Sequence, residues 1–325
     1  MTHRLKIFLH GRCFDGASSA ALFSRFYSER IDARADVVFA GKSHGRGPIY
    51  EDVEFDADDH AAVDFRYCRN SRMGWWFDHH VSAFSADDDE ANFRARPSER
   101  FFYDPHARSC TKFLAESLAQ RYGWDFSRYR ELVYWADLID GAQYENAAQA
   151  TAMAEPAMKL ALFIEHNIDP VLERRFIEAL TTQSLPDLAA ERFIRDALTP
   201  VLALRERAAV AIRARLDSQH GVAFFDVGDE DLDGYDRFLP YALAPEAHYL
   251  VAVSASDSRT KVAVGSNPWN RPPKLVHLAR LCERYGGGGH EVVGAVTLPA
   301  GALDEARQIA AEITEELRRE PSRPK

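Results

Sequence analysis

At 325 residues the chain is long for one average core, and two domains are the first expectation. Asp and Glu number 50 against 40 Lys and Arg, a formal charge of −10, which argues against long duplex nucleic acid as a partner because that binding rests on phosphate neutralisation by cations. No apolar stretch is long enough to span a bilayer, Met1-Thr2-His3-Arg4 lacks a signal-peptide pattern, and the scattered Cys13, Cys68, Cys110 and Cys282 form neither a disulfide framework nor a zinc ribbon, so a cytoplasmic protein is expected.

In chain order, Leu5 to Leu9 reads as a short buried strand, followed by His10-Gly11-Arg12-Cys13-Phe14-Asp15-Gly16 and a small-residue helix start, Ala17-Ser18-Ser19-Ala20. Ala35 to Ala40, Ala61 to Val63 and Trp75 to Phe77 are three more strands; the last two stop at Asp64 and at Asp78-His79-His80. Helix-compatible or loop sequence separates them, the rhythm of a mainly parallel, doubly wound α/β sheet. The acidic runs Asp56-Ala57-Asp58-Asp59 and Ala86-Asp87-Asp88-Asp89-Glu90 read as solvated loops.

Ser109-Cys110-Thr111 opens a helix, and Glu131 to Ile139 is another, with Asp137 and Asp140 three apart. The pattern stays helical from Ala157 to about Leu216; the stretch Arg205 to Arg215, with Arg207 and Arg213, reads as a solvated connector. After Gly221 strands return (Val222 to Phe225, Tyr249 to Val253, Lys261 to Val264), then an amphipathic helix over Leu275 to Tyr285, the run Gly286 to His290, a strand over Val292 to Leu298 and a terminal helix from about Leu303. The expected division is 1–190 as a catalytic domain, 191–217 as a connecting helix, 218–319 as a smaller α/β domain and 320–325 as a frayed tail.

Ligands of open parallel sheets bind at the carboxyl ends of the strands. His10, Asp15, Asp64, Asp78, His79 and His80 all follow such ends, and Asp140 can join them from a helix. Carboxylates gathered there repel unless a cation sits among them, and carboxylate-plus-imidazole sets suit Mn²⁺ or Mg²⁺. There are ligands enough for two such ions, which in phosphoryl-transfer sites stand about 3.5–4 Å apart. Each residue also has a plainer reading: Asp78-His79-His80 as a surface turn, His10 bonded to a loop carbonyl, Asp15, Asp64 and Asp140 as caps or loop formers, the glycine run as a turn, and Phe14 and Trp269 as packing rather than base-stacking residues.

Taken together and in this order, His10 to Ser19, Asp64, Asp78-His79-His80, Asp140-Gly141-Ala142-Gln143-Tyr144 and Gly286 to Gly294 resemble the motifs of the DHH phosphoesterases with a DHH-associated C-terminal domain. That family includes RecJ-type exonucleases, oligoribonucleases and cyclic-dinucleotide phosphodiesterases. The resemblance spans nearly the whole chain. It implies a two-domain cleft, two divalent cations of the Mn²⁺ type (or Mg²⁺) and phosphoester hydrolysis. Residue by residue, it implies His10 on the first ion, Asp15 on the second, Asp64 bridging, and His79 and Asp140 completing the set. Asp78 would orient a ligand, His80 would face the phosphate, and Gly288, Gly289 and His290 would grip the substrate's terminal phosphate.

The sequence departs from the family twice. Cys13-Phe14-Asp15 stands where Asp-x-Asp is usual, so Cys13 reads either as a thiolate ligand or as a small buried apolar residue. Val264 to Trp269 lacks the family's Ser-x-Arg-Ser, leaving Arg259, Lys261 or Arg271 to supply a substrate-binding cation. The expected activity is hydrolysis of short oligonucleotides, dinucleotides or 3′-phosphorylated nucleotides, by a protein free of membrane and open to homodimerisation. A nucleotide-binding regulator on the same scaffold and a RecJ-like single-strand exonuclease are the alternatives.

Overall fold

Trp75, Trp76, Phe77 and Asp78 are all fully buried, and the first sheet is built around them. The computed structural model describes residues 3–43, 49–96, 99–230, 232, 234–272 and 274–319; the expected frayed tail at 320–325 lies outside them. The chain divides into two compact units: one holds the residues up to Gln143 and Met153–Leu198, the other Tyr144–Ala152 and the chain from Thr199 onward.

The first unit runs β1 (Arg4–His10), α1 (Phe14–Arg30), β2 (Asp36–Lys42), β3 (Asp59–Val63), β4 (Trp75–Asp78), α2 (Asp89–Ala95), β5 (Phe101–Tyr103), α3 (Cys110–Tyr122) and α4 (Arg130–Asp140). After α5 (Ala147–Thr151) of the second unit, α6 (Pro156–His166), α7 (Pro170–Ala179) and α8 (Leu185–Ala190) return to the first. The five strands are ordered β2-β1-β3-β4-β5 and every pairing is parallel. Leu9 lies opposite Val63, Val63 opposite Phe77 and Asp78 opposite Tyr103, so these strands end level with one another. Chain order reverses between β1 and β3, which is where such sheets bind ligands.

Strand periodicity sends the two tryptophans to opposite faces. The Trp75 ring meets Phe23 and Phe26 of α1 at 5.4 and 5.7 Å, whereas Trp76 meets Tyr67 and Phe93 at 5.0 and 5.3 Å. Both indole N–H groups are satisfied, Trp75 donating to Asp59 (3.3 Å) and Trp76 to the Phe65 carbonyl (2.8 Å), as buried indoles require. Helix α1 approaches β1 so closely that a Cβ on Gly16 would stand 2.3 Å from the His10 carbonyl oxygen. Only glycine fits there.

Several expectations need correction. Strand β5 is an addition to the expected set, because Phe101-Phe102-Tyr103 is three half-buried residues with no flanking alternation to announce it. The acidic runs are not merely solvated: Asp89 is buried, accepts from the Ser85 and Ala86 N–H groups and, with Asp88, clamps Arg69, while Asp59 accepts from Tyr27 and Trp75. In α9 (Arg192–Arg215) the arginines are not all solvated; Arg205 bonds Asp236 at 2.7 Å and Arg215 pairs with Glu230. Pro200 sits inside this helix, removing one i→i−4 hydrogen bond just where the chain passes between units.

The second unit continues with β6 (Asp217–Gln219), β7 (Val222–Asp226), α10 (Leu239–Leu243), β8 (Tyr249–Ser256), β9 (Arg259–Ser266), α11 (Leu278–Glu283), β10 (Gly288–His290), β11 (Val293–Pro299) and α12 (Leu303–Arg319). Its sheet is ordered β10-β11-β9-β8-β7-β6 and is antiparallel except for β7 with β8. Alternate residues feed two cores: Val251 and Val253 pack with Leu281, Ile309 and Ile313, and Leu250 and Ala252 with Ile212, Phe225 and Tyr241. Helix α11 is shorter than the expected 275–285. Part of the glycine run, expected as a turn or loop, is the edge strand β10. We predict that Trp76→Ala destabilises the protein by about 3–5 kcal/mol in denaturant unfolding, because the void would open in a rigid aromatic cluster.

Candidate metal centre

The level strand ends bring the expected residues together. His10 ends β1, Asp64 follows β3, Asp78 ends β4 with His79 and His80 after it, Asp15 lies in the first turn of α1 and Asp140 ends α4. Asp64 occupies the left-handed backbone region at φ 55°, unusual for a residue other than glycine, with its N–H donated to the Phe77 carbonyl at 2.9 Å. Arg12 (φ 58°) and Ala142 (φ 47°) share that conformation in the loops after β1 and α4. Strain of this kind collects at functional sites because the surrounding structure must hold it in place.

Distances define the cluster. His79 Nε2 stands 3.4 Å from Asp64 Oδ1, 3.5 Å from Asp140 Oδ2 and 3.9 Å from Asp15 Oδ2, and His10 Nδ1 is 3.5 Å from Asp64 Oδ2. Asp64 is 1 % exposed, yet neither of its carboxylate oxygens is hydrogen-bonded, and the buried His79 Nε2 lacks a hydrogen bond too. Orphaned buried polar atoms are costly in a native protein. Donor atoms that share one ion at about 2.0–2.2 Å from it stand ~3–4 Å apart, so the spacing fits metal ligation. Three sets have donor atoms within 4.8 Å of one another: His10 with Cys13 and Asp64; Asp64 with His79 and His80; and Asp15 with His79 and Asp140.

Neighbouring groups orient each donor. His79 Nδ1–H donates to the Ala107 carbonyl at 3.0 Å, which leaves Nε2 with its lone pair facing the carboxylates. Asp78 is fully buried, and its Oδ1 accepts from the His79 and His80 N–H groups (2.8 and 3.3 Å) and from His80 Nδ1 (2.8 Å). It is therefore a scaffold for the two imidazoles. Asp15 accepts from Cys110 N–H at 2.6 Å and Thr111 N–H at 3.0 Å, so it tethers the N-terminus of α3. Asp137 bonds Lys112 and Ser109 and lies outside the cluster.

Without a cation the electrostatics are unfavourable. Burial, then the charges of Asp64 and Asp140, push the Asp15 carboxyl well above its ordinary range. Burial and Asp64 raise Asp140 to about 6. Burial alone would raise Asp64 too, but the imidazoles of His10 and His79 beside it hold it at about 2. Burial would lower His79, yet Asp64 and Asp15 lift it to about 10. Burial, Asp64 and Asp15 keep the Cys13 thiol protonated well above its usual range.

The expected substrate-binding residues lie in the second unit. Gly289 (φ 148°) faces Val293 in β11 so closely that a Cβ would stand 2.3 Å from its carbonyl oxygen, and Gly287 is equally tight against Ala295. Gly288 has open space where its side chain would be, and His290 is exposed. Arg259 and Lys261 lie on β9, while Arg271 is exposed beyond it. Phe14 is buried, and Trp269 donates its indole N–H to the Tyr144 carbonyl (2.8 Å) beside Phe238, so both pack. Sequence reasoning missed the Ala107 carbonyl, for which no side-chain signal exists.

The pKa shifts set a pH dependence. Asp140 and His79 are both raised, so each stabilises the metal-free fold in its protonated form. Asp140's contribution is complete below about pH 4 and lost as pH rises through about 6; that of His79 is complete below about 6.5 and lost towards about 10. Metal must displace these protons. We predict that millimolar Mn²⁺ raises the melting temperature more at pH 8 than at pH 5.5, and that Asp140→Asn shrinks the rise at pH 8.

No family model and no curated protein matches the sequence. Solved structures do match. The chain is similar to the pGpG-specific phosphodiesterase PggH from Vibrio cholerae at 18% identity and a TM-score of 0.69, over 96% of this chain and 99% of that one. It is similar to RecJ from Thermus thermophilus in complex with Mn²⁺ (12% identity, TM-score 0.51), over 96% of this chain and 52% of RecJ. It is also similar to the DHH domain of a member of a ribosomal-protein family (13% identity, TM-score 0.51), over 97% of this chain and 87% of that one. At such identities the likeness is one of fold, and the fold is that of the DHH phosphoesterases.

Proposed function

We propose that the chain is a metal-dependent phosphoesterase that hydrolyses small nucleotide phosphoesters: short oligonucleotides, dinucleotides or 3′-phosphorylated nucleotides. One observation carries this reading. The buried carboxylates of Asp15 and Asp64 and the more exposed one of Asp140 converge on His79 Nε2 while both Asp64 oxygens lack hydrogen bonds. A similar fold in a pGpG-specific phosphodiesterase, matched along nearly all of both chains, supports it, as does the Mn²⁺ held by RecJ. The acidic balance favours small nucleotides over long polymers.

In this reading His10, Asp15, Asp64, His79 and Asp140, with Cys13 as a further donor, hold two divalent cations, Mn²⁺ or Mg²⁺. When bound, such a pair lowers the pKa of water and neutralises charge developing on a phosphoryl group. The chain's own residues do the rest. Asp64 turns one oxygen toward His10 and the other toward His79, so it would offer a donor to both of the sets it belongs to. His80 keeps a proton on Nδ1 through Asp78. That bond, against the effect of burial, raises its pKa, which suits Nε2 to deliver a proton to the leaving oxygen. In the second unit Gly288, Gly289 and the exposed His290 serve as the anion-contacting element.

Asp64→Ala is expected to lower Mn²⁺-dependent hydrolysis of a linear dinucleotide about 10³-fold or more while the fold persists. Tight nucleotide binding without Asp64-dependent turnover would instead identify a regulator. Processive digestion of long single strands with steep salt dependence would identify a RecJ-like exonuclease. Restoring the family's residue with Cys13→Asp should preserve or raise Mn²⁺-dependent activity. Loss of Mn²⁺ uptake in that variant, read by calorimetry, would mean that the thiolate is required.

A further inference from the structure

A cavity of about 250 Å³ opens beside the loop that follows β1, lined by Gly11, Arg12, Lys42, Ile168 and Glu173 among others. That is just below the ~300–1,000 Å³ of sites that enclose a whole small molecule, and it offers room for one base. Glu173, on α7, directs its carboxylate at Gly41 of β2. A Cβ on Gly41 would lie 2.9 and 3.1 Å from the two carboxylate oxygens, so a glycine at this point of the strand is what admits the carboxylate.

Four of the neighbouring polar side chains are already engaged. Arg12 donates Nε–H to the Glu165 carbonyl at 3.1 Å, and Lys42 pairs with Glu54. Asp169 Oδ1 caps the Val171 N–H at 2.8 Å, and Asn167 donates to the Asp169 carbonyl at 2.8 Å. Glu173 is subject only to burial, which raises its pKa, and to the Arg12 backbone N–H, which lowers it; among the described residues no cation pairs with it. A carboxylate has about four acceptor positions, so most of its capacity faces the cavity. At the mouth, Ile168 is 84 % exposed and offers an apolar edge to a flat ring.

A flat neutral ring can engage both oxygens of a carboxylate by presenting two adjacent N–H donors. Among the common bases guanine does so, with N1–H beside its N2 amino group; the pairing edges of adenine, cytosine and uracil each interleave acceptors. Gly11 and Arg12 also lie between His10 and Cys13, so a nucleotide with its phosphate at those side chains brings its base within reach. We infer that this cavity is a base-specificity pocket in which Glu173 accepts hydrogen bonds from N1–H and N2–H of a guanine. The inference rests on the phosphoesterase reading above and adds a substrate preference to it.

The test compares kcat/KM of the Mn²⁺-loaded full-length protein on pGpG, pApA and the inosine analogue pIpI, which lacks the 2-amino group. The wild type should favour pGpG over pApA about 10–100-fold, the discrimination expected of a bidentate pair, with pIpI between them. Glu173→Gln should bring the pGpG-to-pApA ratio toward one. If that variant fails to fold, Gly41→Ala, which crowds the carboxylate out of place, should do the same. A wild type without guanine preference overturns the inference. So does a variant that loses activity on all three substrates alike, because Glu173 would then only brace the Arg12 loop. Should the wild type hydrolyse none of them, the phosphoesterase reading fails by itself. Calorimetric binding of GMP, IMP and AMP to the Mn²⁺-loaded protein then decides the pocket by the same order of preference.

Discussion

Three carboxylates, two of them buried, meet at one imidazole nitrogen at the strand ends of this protein, and they repel one another unless positive charge stands among them. Asp15, Asp64 and Asp140 lie 3.4–3.9 Å from His79 Nε2, and Asp64 is shut away from water with both oxygens unbonded. A protein that wanted only stability would replace such a set by apolar side chains. Backbone strain marks the same place. Among the described residues four other than glycine have positive φ, and three of them (Arg12, Asp64 and Ala142) lie in the loops that carry the cluster. Strain of about 1–3 kcal/mol per residue is tolerated where the surrounding structure fixes it.

What fixes it is the sheet. Level parallel strand ends place His10, Asp64 and Asp78 side by side, and the aromatic packing on both faces of β4 leaves that strand little freedom to slide. Asp15 couples the centre to α3 by taking two N-terminal amides of that helix, and Asp78 couples it to β4 by anchoring both imidazoles. The carboxylates of Asp15 and Asp78 thus also restrain the backbone. A change at the centre and a change in the scaffold are hard to separate, which is why a metal-binding readout matters beside turnover.

The negative net charge conceals local order. Asp88 and Asp89 hold Arg69, and Asp59 receives the Tyr27 hydroxyl and the Trp75 indole, so these three acidic residues organise the first unit rather than solvate it. The glycine run behaves similarly. Gly287 and Gly289 are demanded by the close approach of β11, whereas Gly286 and Gly288 face open space. Glycines that looked like one functional loop divide into two packing positions and two open ones.

Much of the first unit was legible in the sequence. Short apolar runs that stop at Asp or His announce strands with polar ends, and Ser109 before Cys110 announces the start of α3; these are local signals. The motif order from His10 to Asp140 identified the DHH phosphoesterase fold for the same reason, since motifs record which side chains a strand end presents. The tertiary structure alone decided how those ends align, that Asp64 adopts a left-handed backbone, that Asp15 tethers a helix nearly a hundred residues away, and that a main-chain carbonyl at Ala107 sets the tautomer of His79. None of these has a residue-type signature. They arise from contacts between segments far apart in the chain, and pairing of that kind is set by packing and register rather than by local propensity.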